Sequence, residues 1–137
     1  MQPPRSSLLP RSRERLRQDF SRAAPLREIY PHLAEVHIEF EFADGTPRTP
    51  SPQAYAYYPA ARGFFRYACP CHDCSGEFDL SAEVAELAGK SGRTRRTRRV
   101  TVLCGGQRLD QTRVTIPCPI QAQVHVSATL HATEQLA

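Results

Sequence analysis

The chain has 137 residues, a net charge of +4, 40% apolar residues, 12 Pro and 7 Gly. That is one domain's length on the usual scale of roughly 100–200 residues, and no apolar run approaches the roughly 20 residues of a bilayer-spanning helix. An integral membrane protein, a collagen and a coiled coil are excluded. The basic side is almost entirely arginine, with Lys90 the single lysine and Asn absent. GC-rich codon usage produces that bias and points toward a bacterial source.

Residues 1–25 read as a basic arm, with Arg5, Arg11, Arg13, Arg15, Arg17 and Arg22 set against Glu14 and Asp19. Leu16 and Phe20 lie at i and i+4 and fit a short helix over 12–24 that could dock on the rest of the chain. The composition fits a solvated, disordered tail equally well. No apolar signal core appears at the N-terminus, so a reducing cytoplasmic compartment is expected. There, paired thiols bind metal more often than they form disulfides.

Glu35 to Phe42 alternates polar and apolar residues, predicting a half-buried strand. Val36, Ile38, Phe40 and Phe42 turn inward, and His37, Glu39 and Glu41 face water. Asp44-Gly45 closes it as a turn. Residues 46–62 carry Pro47, Pro50, Pro52 and Pro59 and read as a long extended loop, with Tyr55 and Tyr57 giving a short edge strand. Gly63–Ala68 is a second strand. Ser81 reads as an N-cap for a helix over 82–89, carried by Val84, Leu87 and Ala88. Val100–Cys104, Arg113–Ile116 and Ile120–Ala128 return to strand patterns. The fold class is therefore mainly β (α+β): an antiparallel β domain over 26–128 with one or two short helices, followed by a flexible tail over 129–137.

The five cysteines fall into two groups, Cys69, Cys71 and Cys74 in one, Cys104 and Cys118 in the other. Cys71-His72-Asp73-Cys74-Ser75-Gly76 fits a zinc knuckle, in which two thiolates ride one tight turn and its N–H groups point at the sulfurs. Cys104 and Cys118 are symmetric about residue 111, so a hairpin centred there would set them directly across from each other. Cys74, Cys104 and Cys118 are three ligands of a candidate site. The short CxxC loop favours Cys71 as the fourth, while Pro70 directly after Cys69 favours Cys69. A Cys104–Cys118 disulfide and unligated core cysteines are the competing readings.

Cys71-x-x-Cys74-x-Gly76 with a distant cysteine pair on a hairpin resembles the zinc-ribbon proteins. More loosely, Arg48-Thr49-Pro50-Ser51-Pro52-Gln53, Tyr58-Pro59, Phe64-Phe65, Cys69-Pro70 and Asp73-Cys74-x-Gly76-x-Phe78-Asp79-Leu80 look like a set of small uncharacterised bacterial zinc-ribbon-like proteins. The likeness covers residues 26–128. It implies a β domain held by a structural Zn2+ and carries no known activity.

The stretch from Lys90 to Arg99 holds six cations and no acid. Arg93, Arg95, Arg96, Arg98 and Arg99 are expected on a mobile exposed loop beside the zinc hairpin, where guanidinium forks suit phosphate. Tyr55, Tyr57, Tyr58 or Phe64 could then stack bases. Two partner readings stay open, weak nucleic-acid binding through these arginines and docking on an acidic protein. Enzymatic motifs are missing: there is no Gly-rich phosphate loop, no HExxH and no nucleophile with an evident base. A zinc held by only three cysteines, leaving an open position, is the catalytic alternative.

Overall fold

The computed structural model describes residues 8–43, 50–70, 74–89, 94–109 and 114–131. Three helices and eight strands follow in the order α1 (Leu8–Arg22), α2 (Leu26–Ile29), β1 (Leu33–Ala43), β2 (Gln53–Tyr57), β3 (Arg66–Ala68), β4 (Glu77–Asp79), α3 (Ser81–Gly89), β5 (Arg95–Leu103), β6 (Gln107–Leu109), β7 (Thr115–Pro117) and β8 (Gln121–Leu130). The fold is mainly antiparallel β, as the alternating segments predict. Among the described residues, no helix is long and apolar enough to cross a membrane.

One four-stranded sheet, ordered β2-β1-β8-β5, carries the core, and two small hairpins, β3-β4 and β6-β7, carry the cysteines. The alternation in β1 works as the sequence implies: Val36, Ile38, Phe40 and Phe42 are buried while Glu39 and Glu41 are exposed. β8 repeats it with Ala122, Val124, Val126 and Ala128 on the same face. On the other face His37 meets Glu35 at 3.2 Å and His125 meets Glu39 at 3.8 Å. β3-β4 is joined to the sheet by aromatic rings, Phe40 to Tyr67 at 4.9 Å and Phe42 to Phe78 at 6.0 Å between centroids. Edge-to-face and tilted pairs of this kind add to the area that they bury.

α3 buries Val84, Leu87 and Ala88, and both of its ends are finished by side chains from elsewhere. At its start, Asp79 Oδ1 accepts the Ser81 N–H at 2.9 Å, so the capping acceptor lies two residues before the expected Ser81. At its end, Arg96 donates to the Leu87 carbonyl at 2.7 Å and His32 Nε2 meets the Ala88 carbonyl at 2.8 Å. The last turn of a helix leaves carbonyls without intrahelical donors, and basic groups complement its dipole.

The arginine stretch departs from expectation. Arg95 to Arg99 form the first half of strand β5, paired with β8 from Arg95↔Thr129 through Arg99↔His125, and not a loop. Pairing won because β8 extends to Leu130 and offers a full ladder to the strand beside it. The same extension takes 129–130 out of the expected tail; 132–137 lie outside the described residues.

Over Leu8–Arg22 the arm is helical and docked, and residues 1–7 lie outside the described residues. Asp19 on α1 accepts from Arg66 Nη1 at 2.7 Å, and Arg66 also forks onto Glu77 of β4 at 2.6 and 2.9 Å. Phe20 meets Phe64 edge-on at 5.7 Å, with the Arg62 guanidinium 5.7 Å from the Phe20 ring centre. These two carboxylates raise the affinity of Arg66 for its proton, Glu77 contributing most.

Candidate metal centre

Four sulfurs converge between the two small hairpins. Cys69 follows β3, Cys74 precedes β4, Cys104 precedes β6 and Cys118 follows β7. All four are buried, and their Sγ atoms lie within 4.8 Å of one another. Cys69 and Cys118 are 3.8 Å apart, Cys74 and Cys104 3.3 Å. A tetrahedron of Zn–S bonds of ~2.3 Å needs sulfurs ~3.8 Å apart, so the set fits an ion at its centre. A disulfide needs ~2.05 Å, and none of the four is in a disulfide.

The backbone around the sulfurs repeats one local device. Gly76 N–H donates to Cys74 Sγ at 3.2 Å and Gly106 N–H to Cys104 Sγ at 3.3 Å. The Ile120 N–H, two residues after Cys118, likewise favours the thiolate there. Each donor lies two residues after its cysteine, as in a knuckle turn. The turns Cys74-Ser75-Gly76 and Cys104-Gly105-Gly106 face each other with backbones nearly touching. A Cβ on Gly76 would lie 2.3 Å from Cys104 Sγ, and one on Gly106 would lie 2.2 Å from the Gly76 nitrogen. Ser75 N–H to the Gln107 carbonyl at 3.1 Å and Cys69 N–H to the Gly76 carbonyl at 3.0 Å tie the turns together.

The second hairpin corrects a sequence expectation. β5-β8 and β6-β7 share one register, Leu103↔Gln121 and Gln107↔Pro117, which centres the hairpin on residue 112 and not 111. Cys104 therefore faces Ile120, bonding its carbonyl at 3.0 Å, and Cys118 faces Gly106 at 3.1 Å. The two cysteines lie diagonally across the hairpin. Alternation could not reveal this, because both registers leave them on the same face; pairing of core-facing Val100 with Val124 decides it.

Of the sequence candidates, Cys74, Cys104, Cys118 and the alternative Cys69 come together, while Cys71 lies outside the described residues. A signal for Cys69 was present. Cys-Pro occurs at 69–70 and 118–119, Cys-x-Gly at 74–76 and 104–106, and in space like meets like.

The electrostatics show what the protein alone will tolerate. The hydrogen bond with Cys69 draws the Cys104 thiol down to about 5 against burial, with the Gly106 N–H helping. Burial pushes Cys74 up to about 12 and also raises Cys118. The donors around Cys104 thus favour its thiolate, while burial favours the neutral thiols of Cys74 and Cys118. Ionising those two requires a cation among the sulfurs, whose uptake then releases protons.

The four described arginines of the run do not form one surface. Arg96 is buried on the end of α3, and Arg98 pairs with Glu86 of the same helix. Arg95 and Arg99 are exposed on β5, and Arg93 lies outside the described residues. Of the aromatic candidates, Tyr57 is buried and its hydroxyl meets that of Tyr67 at 2.5 Å. Tyr55 and Phe64 are half-buried, and Tyr58 is exposed. Comparison of the chain with protein-family models, with curated proteins and with solved structures gives no match.

Proposed function

We propose that the chain is a small, non-catalytic binding module of zinc-ribbon type, held by one structural Zn2+ on Cys69, Cys74, Cys104 and Cys118. The observation that carries this reading is the buried four-sulfur cluster with its N–H···S bonds. Soft thiolates in a tetrahedral S4 set select zinc or iron over hard cations, and four of them leave no open position for water or substrate. The hairpins explain why metal is needed. β3, β4, β6 and β7 have three residues each, and two-stranded hairpins of that size are not stable on their own. Metal analysis of protein purified under reducing conditions tests the reading: one zinc per chain, lost in Cys104→Ser together with much of the melting temperature. Protein without bound metal, whose melting a chelator leaves unchanged, would contradict it.

A second reading, weak binding of nucleic acid, rests on Arg95 and Arg99, the two described arginines of the run that are exposed on β5. Two phosphate contacts give a salt slope of about −1.8, or about a tenfold loss of affinity between 50 and 200 mM salt. Arg95→Gln with Arg99→Gln should abolish oligonucleotide binding at low salt and leave metal content unchanged. An unaffected double variant eliminates this surface.

A further inference from the structure

The sheet has two edges, and they are treated differently. The β5 edge carries Arg95, Arg96, Arg98 and Arg99, and charged side chains are how proteins keep strand edges from pairing. The β2 edge, Gln53-Ala54-Tyr55-Ala56-Tyr57, carries no charge and no proline. Beside it lies a cleft of about 970 Å³, lined also by α1, by β3 and by Cys69 and Pro70 after it. All five β2 residues line the cleft. Successive strand residues point to opposite faces, so a cavity touching all five follows the strand's edge and not one face of the sheet.

Among the described residues, the charged side chains lining the cleft are Arg13, Arg17 and Arg66, with no carboxylate. Arg66 is already held by Asp19 and Glu77, and Arg17 meets Glu14 in an exposed pair at 3.0 Å. Such a pair contributes little and exchanges readily for a better partner. Arg13 and Arg17 lie i and i+4 on one face of α1, opposite the bare edge.

We infer that the cleft between α1 and β2 binds an extended acidic peptide of a partner protein, which adds as a strand to the β2 edge while its carboxylates meet Arg13 and Arg17. The β2 backbone offers alternating donors and acceptors, which another peptide backbone matches and a sugar-phosphate chain does not. Half-buried Tyr55 and partly exposed Phe20 supply apolar contact for alternate side chains. The inference rests on reading the chain as a binding module and names the partner's chemistry.

Fluorescence anisotropy with labelled decapeptides of alternating Glu and Val, and Lys and Val as control, tests it on zinc-quantified full-length protein. The Glu peptide should bind and the Lys peptide should not. Arg13→Glu with Arg17→Glu, both exposed, should weaken binding about tenfold or more while metal content and melting hold. Two further Glu peptides, N-methylated at odd or at even residues, read the geometry. A strand presents its N–H groups to either side in alternation, so one pattern should abolish binding and the other spare it. The inference falls if the Glu peptide does not bind, if both methylated forms bind alike, or if the charge reversal has no effect. It also falls if a mixed oligonucleotide displaces the peptide from the cleft, or if the free protein dimerises through β2 in sedimentation. Metal-free protein that still binds the peptide would remove the zinc reading and leave this one standing.

Discussion

Substitution of Gly76 by alanine should break the metal centre, although the side chain added is one methyl group. A Cβ there would sit 2.3 Å from Cys104 Sγ, 2.7 Å from the Gly106 nitrogen and 2.8 Å from its Cα. Ordinary contact between such atoms begins near ~3.5 Å, so the methyl overlaps all three atoms, the sulfur by more than an ångström. None of these is the free end of a flexible chain. One is a sulfur of the cluster, held by its own N–H···S bond, and two belong to the opposing turn. Relief therefore means separating the turns and pulling Cys104 away from Cys74. Overpacking alone costs about 1–3 kcal/mol, and the stabilisation that a metal on the sulfurs would add is lost with it. At roughly 3–4 °C per kcal/mol for a domain of this size, melting should fall by about 10 °C or more. Gly105 is the control, because a Cβ there meets nothing within 4 Å; Gly105→Ala should stay within about 0.5 kcal/mol. Thermal unfolding with zinc quantification on the same samples decides the matter. A Gly76→Ala protein that keeps its metal and melts with the wild type would refute the facing of the two turns.

Alkaline stability should report the Tyr57–Tyr67 pair. Burial raises both phenols above the ordinary value of 10.0, so above pH 10 the unfolded chain loses protons that the native state keeps. Stability is complete below pH 10 and falls above it by up to about 1.4 kcal/mol per pH unit for each phenol. Urea midpoints at pH 9, 10 and 11 should drop progressively, and the slope should flatten in Tyr57→Phe with Tyr67→Phe; an unchanged slope counts against the pair. Removing the docking arginine by Arg66→Met leaves Asp19 and Glu77 facing each other and should cost about 1–2 kcal/mol. Trypsin should then cut within α1 about tenfold faster, and equal cleavage rates would show that the helix is held by other contacts.

The large sheet was legible because its strands are half-buried. β1 and β8 spell out their faces residue by residue, and α3 shows a stripe of Val84, Leu87 and Ala88. The cysteine centre was legible in kind, since clustered thiols in a short chain have few uses. Its details were not. The fourth sulfur and the hairpin's centre depend on pairings between distant segments, and a two-residue slip keeps every side chain on its face. The arginine run misled for a related reason. Local composition marks such a run as a solvated loop, yet Arg96 ends on the Leu87 carbonyl of α3 and Arg98 on Glu86 because β8 recruits Arg95 to Arg99 as a neighbour. Charge alone does not say which guanidinium is spent inside the fold.

The metal centre and the cleft are linked through β3. Arg66 begins this strand and anchors α1 through Asp19, Tyr67 packs on Phe40, and Cys69 follows its last residue. A three-residue strand cannot hold such a position by its own ladder. An ion held by the sulfurs at one end and the Arg66 fork at the other would fix it. The wall of the cleft is therefore as rigid as those two fastenings, and the bare β2 edge lies beside a surface whose geometry a buried ion would set. A small core with short hairpins gains most from such an ion, because ligand binding adds folding free energy where apolar area is scarce.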